Sequence, residues 1–108
     1  MKLPKNMIRK EIARRFDLIH QKIYDPKSKE GHLFWEGRGS ALWDFLCFLR
    51  KNGAEVELMK KYLYRRHLKE KARLKRATDA KKGDSFIGGR SLEFGDLLNW
   101  VKAKKVRK

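Results

Sequence analysis

Residues 34–51, FWEGRGSALWDFLCFLRK, align without a gap with residues 86–103, FIGGRSLEFGDLLNWVKA, at an offset of 52 residues. Five of the eighteen aligned pairs are identical, namely Phe34/Phe86, Gly37/Gly89, Arg38/Arg90, Asp44/Asp96 and Leu46/Leu98. A match of this kind indicates an internal repeat. It predicts two pseudo-symmetric halves, each with a long basic helix, a loop and an amphipathic helix.

Both copies begin with a Phe-x-x-Gly-Arg motif. Glycine just before an amphipathic pattern favours a short extended turn, so we expect residues 33–36 and 85–88 to pair as a two-stranded ribbon. Free backbone N–H groups at the following helix start favour an anion, and Arg38 or Arg90 adds a bidentate contact to phosphate. The alternative is a structural clasp, in which Arg38 pairs with Asp96 and Arg90 with Asp44.

The rest of the pattern predicts a mainly α fold, a bundle of about four helices in a single domain over residues 1–104. We expect helices at residues 5–24, 41–52, 55–78 and 92–104, with a loop at 25–32 and a basic tail at 105–108. Ser40 is the expected cap and Gly53 the expected stop of the second helix. That helix is apolar over most of its circumference, so we expect it to be the most buried, with Cys47 as a core thiol.

Charge is concentrated at particular places in the chain. The 108 residues carry 29 Lys and Arg against 13 Asp and Glu, a formal charge of +16. Residues 60–82 hold eleven of these cations and two acids, whereas residues 30–59 are slightly acidic. Concentrated cations flanking a near-neutral core are typical of a protein that binds a polyanion.

The third helix, which contains most of the stretch KKYLYRRHLKEKARLKRATDAKK (residues 60–82), is the main candidate site. Its apolar stripe fails after Arg65, and its cations are spread around the helix, so we expect them to face solvent and contact phosphate. The expected nucleic-acid contacts are Lys60, Lys61, Tyr64, Arg65, Arg66, Lys69, Lys71, Arg73, Lys75 and Arg76, with Arg14, Arg15, Arg38 and Arg90 as further contacts. Tyr64 or Trp35 is the expected stacking group.

The sequence carries weak signals for other functions. Its three histidines lack metal-ligand spacing, its lone cysteine cannot form a disulfide framework, and it contains no run apolar enough for a membrane. We therefore expect no cofactor or metal, a cytoplasmic location, and binding of nucleic acid, with DNA slightly favoured over RNA, in place of catalysis. Two alternatives stay open: a metal-independent ribonuclease using His67 and Tyr64, and an adaptor for an acidic protein surface. A homodimer is also open.

Overall fold

The computed structural model describes residues 1–27, 31–76 and 86–104. Within these ranges the chain forms four helices: α1 (Lys5–Ile23), α2 (His32–Asn52), α3 (Val56–Arg76) and α4 (Phe86–Ala103). The predicted helical bundle is confirmed, and the described residues contain one isolated bridge, Lys2 with Glu55, in place of any strand. None of these helices combines the length and apolarity needed to cross a membrane.

α4 is the central helix of the bundle. It packs along both α2 and α3, whereas α1 lies on α2 over a smaller area. Phe94, Leu97 and Val101 of α4 are almost fully buried, as are Leu42 and Phe45 of α2. The expectation that the second helix is the most buried is therefore wrong, because the outward side of α2 stays in solvent.

The starts of two helices differ from the prediction. α2 begins at His32 and α4 at Phe86, so both Phe-x-x-Gly-Arg motifs are helical and Ser40 lies inside a helix. Residues 33–36 and 86–88 are therefore helical, and the predicted ribbon is wrong; residue 85 lies outside the described ranges. The expected tail at 105–108 and the expected end of the third helix at 77–78 also lie outside them.

Glycine sits within both helices because α2 and α4 meet there in backbone contact. A Cβ added at Gly37 would overlap the carbonyl oxygen of Phe86 and lie 2.9 Å from its carbon. A Cβ at Gly89 would likewise overlap the carbonyl oxygen of Phe34 and lie 3.0 Å from the nitrogen of Arg38. Each glycine costs about 0.5–1 kcal/mol of helix propensity. Close packing between the two helices offsets that cost. A local pattern contains the cost of glycine but not the distant helix that offsets it, and it therefore predicted a turn.

The first residues tie the N-terminus to the connection between α2 and α3. The amide of Leu3 donates to the carbonyl oxygen of Ala54 at 3.1 Å, and the amide of Val56 donates to that of Met1 at 2.7 Å. Leu3 is buried in the core. Gly53 turns the chain between the two helices at a φ of 80°, as predicted for a helix stop.

We expect Gly37→Ala or Gly89→Ala to destabilise the fold by about 3 kcal/mol or more, because the added methyl meets backbone that cannot rotate away. Gly39→Ala is the matched control, since its Cβ would meet only a side-chain methyl of Ile19 at 3.7 Å. That variant should be neutral or up to about 1 kcal/mol more stable through helix propensity. Urea unfolding measures all three. Equal stability of Gly37→Ala and Gly39→Ala would contradict the close backbone contact.

Candidate nucleic-acid interface

One side of α3 is buried along nearly the whole helix. Val56, Met59 and Leu63 form its apolar part, and Glu70, nearly two turns before the end of the helix at Arg76, is 1% exposed. The apolar stripe ends before Arg65, as the sequence suggested, but the buried side does not end there. It continues with polar side chains, and these contact α2 and α4.

Arg90 of α4 contacts the polar part of the buried side of α3 and residues of α2. Its guanidinium donates to the Ser40 hydroxyl at 2.6 Å and to the Asp44 carboxylate at 2.8 Å. Its Nε lies 3.2 Å from a Glu70 oxygen, but the geometry gives no hydrogen bond, so this contact is an ion pair only. Arg90 thereby joins α2, α3 and α4.

Two arginines of α3 complete this group. Arg66 donates to Asp44 at 2.9 Å, and Arg73 donates to Glu70 at 3.1 Å. We call these residues the Arg90 network: Arg90, Ser40, Asp44, Glu70, Arg66 and Arg73. Arg66 and Arg73 were expected to face solvent as phosphate contacts. Arg73 is exposed and Arg66 is half-buried, and carboxylates of the protein already engage both.

A second buried network surrounds Glu93 of α4. Arg15 of α1 donates to one carboxylate oxygen at 3.0 Å, and Arg38 of α2 donates to the other at 2.8 Å. Arg38 also reaches Asp96 at 3.3 Å. Because Glu93 is fully buried, these two guanidinium groups supply the charge that it needs. We call Glu93, Arg15, Arg38, Asp96, Glu11 and Arg14 the Glu93 network.

Glu11 links α1 into the Glu93 network. It accepts hydrogen bonds from Arg14 at 2.6 Å and from Arg15 at 2.7 Å. Burial raises the pKa of Glu11, but these hydrogen bonds and the two positive charges outweigh it, so the pKa lies below its ordinary value of about 4.5. Glu11 therefore stays ionised and keeps Arg15 oriented toward α4.

The two repeated arginines pair with aspartates, as the structural-clasp alternative predicted. Arg38 pairs with Asp96, and Arg90 pairs with Asp44. Both arginines lie within helices and not at free helix starts, and each is largely buried. Arg15 is buried as well, and Arg14 is exposed but bound to Glu11. The structure thus separates these four from the solvent-facing cations of α3.

The opposite side of α3 carries cations of a different kind. The exposed ones are Lys61, Arg65, Lys69, Lys71, Lys75 and Arg76, which we call the outer face of α3. Within residues 1–27, 31–76 and 86–104, none of them lies within ion-pair distance of a carboxylate. Lys60 lies beside this face and contacts Glu57 at 3.4 Å.

The outer face has two edges. At about 100° per residue, one strip spans roughly 80° of the helix and holds Lys61, Arg65, Lys69 and Arg76. Lys71 and Lys75 lie at the other edge, next to Tyr64 and Leu68, which are 53% and 45% exposed. Tyr64 is therefore exposed beside these cations, and its stacking role stays a prediction. Trp35 cannot offer its ring to a ligand, because it is 5% exposed and packs in the core.

Two exposed residues of α2 were missed by the sequence analysis. Cys47 was expected in the core but is exposed. Trp43 is 51% exposed, although the apolar run around it suggested burial. The signal that could have found them is their spacing, since residues four apart share one side of a helix.

His67 packs against the backbone of α4. Its Nδ1 lies 2.9 Å from the carbonyl oxygen of Ser91, so this nitrogen carries the proton and donates. Gly95 leaves the space that the ring occupies, since a Cβ there would come within 3.0 Å of it. This position serves packing, on the side of α3 away from the outer face. The described residues contain no cluster of side chains suited to a metal ion.

Comparisons with protein-family models, curated proteins and solved structures find no match to this chain.

We expect Arg90→Gln to destabilise the protein by about 3–5 kcal/mol, because Glu70 would keep its buried charge without its α4 partner. Arg65→Gln removes the same charge from the outer face and should change stability by no more than about 0.5 kcal/mol. Urea unfolding followed by circular dichroism measures both. Similar stabilities for the two variants would show that the Arg90 network does not support the fold.

Acid should weaken the attachment of α1. The folded pKa of Glu11 lies below its unfolded value, so its stabilisation is complete above about pH 4.5 and is lost as pH falls through the folded pKa. Glu11→Gln should cost about 1–2 kcal/mol at pH 7, and the difference from the wild type should shrink toward pH 3. Asp17→Asn, at an exposed position of α1, is the control. A pH-independent difference for Glu11→Gln would contradict the role of the charge.

Proposed function

We propose that this chain binds nucleic acid through the outer face of α3, with the phosphate backbone as the principal ligand. The observation that carries the proposal is a division among the arginines and lysines. Carboxylates engage Arg15, Arg38, Arg66, Arg73 and Arg90, whereas the six cations of the outer face have no such partner in the described residues. A surface of unpaired positive charge is the electrostatic footprint of a polyanion-binding protein.

The dimensions of the outer face suit a phosphate backbone. At 1.5 Å per residue, the distance from Lys61 to Arg76 is roughly 22 Å, enough for several consecutive phosphates. Arginine provides bidentate contacts and lysine a mobile point charge, and neither reads a base through such contacts. DNA is slightly favoured over RNA, since a long exposed basic helix suits the major groove.

The test removes charge without disturbing the fold. Replacing Lys61, Arg65, Lys69 and Arg76 by Gln keeps helix propensity. It should lower affinity for nucleic acid by two to three orders of magnitude at about 0.1 M salt. The matched control replaces four exposed cations elsewhere, Lys5, Lys10, Lys27 and Lys102, by Gln. Both variants lose the same net charge, so a loss confined to the first variant assigns binding to the outer face.

Salt dependence gives a second measure. If about six phosphates are contacted, the plot of log K against log salt should have a slope near −5 for duplex DNA. The α3 variant should show a slope reduced by about 3 to 4, and the control variant a slope near that of the wild type. Equal losses in both variants, or a wild-type slope shallower than about −2, would contradict the proposal. Binding of an acidic protein in preference to nucleic acid would favour the adaptor alternative.

We also propose that residues 34–51 and 86–103 are copies of one ancestral segment. The support is the reciprocity of their contacts: each glycine meets the first phenylalanine of the other segment, and each arginine pairs with the other's aspartate. Related sequences that keep glycine at both 37 and 89, and arginine at both 38 and 90, would support the duplication. Relatives with one motif and an unrelated partner segment would contradict it.

A further inference from the structure

One side of α2 carries an exposed aromatic ring beside cations. Trp43, Cys47 and Arg50 recur at the spacing that places side chains on one face of a helix, and all three are exposed. The Arg50 guanidinium lies 5.6 Å from the centre of the Trp43 ring. An exposed tryptophan supported by an arginine is an apolar surface that the fold leaves in water.

α3 contacts the flank of α2 that carries Asp44 and Phe48. Asp44, the neighbour of Trp43 in sequence, accepts a hydrogen bond from Arg66 of α3 at 2.9 Å. One turn further along α2, Phe48 stacks on Tyr62 of α3 with ring centres 4.2 Å apart. At about 100° per residue, Asp44 and Phe48 lie about 100° and 140° around α2 from Trp43, so α3 contacts a flank of α2 and leaves the Trp43 side open to solvent.

The helix that meets α2 presents its cations toward the same side. Around the circumference of α3, going from the buried side to solvent, the order of the side chains is Arg66, Tyr62, Lys69 and Arg65. On α2, Asp44, Lys51 and Cys47 lie between Phe48 and Trp43, again going from the buried side to solvent. The exposed surface therefore runs from the outer face of α3 across the Phe48–Tyr62 contact to Trp43. Burial raises the pKa of Tyr62, so its phenol stays neutral where the two helices meet.

We propose that this surface binds unpaired nucleotides, with a base stacked on the Trp43 ring and the adjoining phosphates on the outer face of α3. This inference rests on the proposed function and names the form of nucleic acid that the site takes. A base in a duplex is stacked on its neighbours and cannot lie on a side chain, whereas a single strand offers every base. Aromatic rings beside a track of cations are the recurrent arrangement for single-strand binding, and it tolerates any sequence.

The experiment compares Trp43→Ala, Trp43→Phe and Tyr24→Ala by fluorescence anisotropy with labelled 12-nucleotide single strands of DNA and RNA and with the matching DNA duplex. Tyr24, which is 72% exposed at the end of α1, is the matched exposed aromatic. Thermal melting by circular dichroism confirms that each variant is folded. Trp43→Ala should weaken single-strand binding by about 5- to 100-fold, and duplex binding by less than about twofold. Trp43→Phe should restore most of the loss, and Tyr24→Ala should bind like the wild type.

A chemical measurement checks the place of binding. Cys47 is the single cysteine of the sequence and is exposed one turn from Trp43. A bound single strand should slow its reaction with a maleimide, and the duplex should slow it less. The DNA and RNA arms then show which sugar the site prefers.

The outcomes separate this inference from the proposed function. Unchanged single-strand affinity in Trp43→Ala, or equal losses for single strands and duplex, would overturn the stacking site. The proposed function would still stand if Gln at Lys61, Arg65, Lys69 and Arg76 abolished binding. Wild-type protein that binds neither single strands nor duplex would overturn both.

Discussion

The backbones of α2 and α4 touch, with the carbonyl oxygens of Phe34 and Phe86 lying against Gly89 and Gly37. Side chains at those two glycines would hold the helices apart. Each glycine is followed by an arginine, so the backbone contact also positions the two arginine side chains between the helices. Arg38 reaches Glu93 and Asp96 on α4, and Arg90 reaches Ser40 and Asp44 on α2.

α1 and α3, the two outer helices of the bundle, attach to the α2–α4 pair through the charged residues of the Glu93 and Arg90 networks. Arg15 of α1 completes the pairing of Glu93, and Glu70 of α3 lies against Arg90. A buried ion pair is weak evidence for stability, since desolvation opposes the attraction. Its stronger effect is on geometry: a slip of α1 or α3 by one turn would leave a carboxylate buried without its partner. The two networks therefore fix the register in which the outer helices pack on the central pair.

Sequence patterns predicted the elements whose structure depends on local periodicity. Apolar periodicity predicted α1 over residues 5–24, one residue longer than observed, and the third helix from residue 55, one residue before its observed start. The starts of α2 and α4 were predicted wrongly because glycine in a helix is unfavourable until another backbone packs against it. No local pattern contains that partner, which lies about fifty residues away in the sequence.

The candidate site shows the same division. The basic character of α3 was evident from composition, and Lys61, Arg65, Lys69, Lys71, Lys75 and Arg76 are exposed as expected. Arg66 and Arg73 were indistinguishable from them by residue type, since their carboxylate partners become visible only in three dimensions. The exposure of Trp43 was not predicted either, because an apolar run predicts burial on every side, whereas α2 is covered on only part of its circumference.

The Arg90 network has a consequence for how the sequence can drift. Arg90 satisfies a hydroxyl and a carboxylate through separate nitrogens while its Nε faces a second carboxylate. Lysine carries the same charge on one ammonium group and cannot reach three acceptors in a fixed plane. On the outer face, by contrast, the described residues offer no carboxylate that would hold a fixed geometry, so either cation fits there. Over evolutionary time, lysine and arginine should therefore interchange freely at positions such as Arg65 and Lys69, whereas position 90 keeps arginine alone.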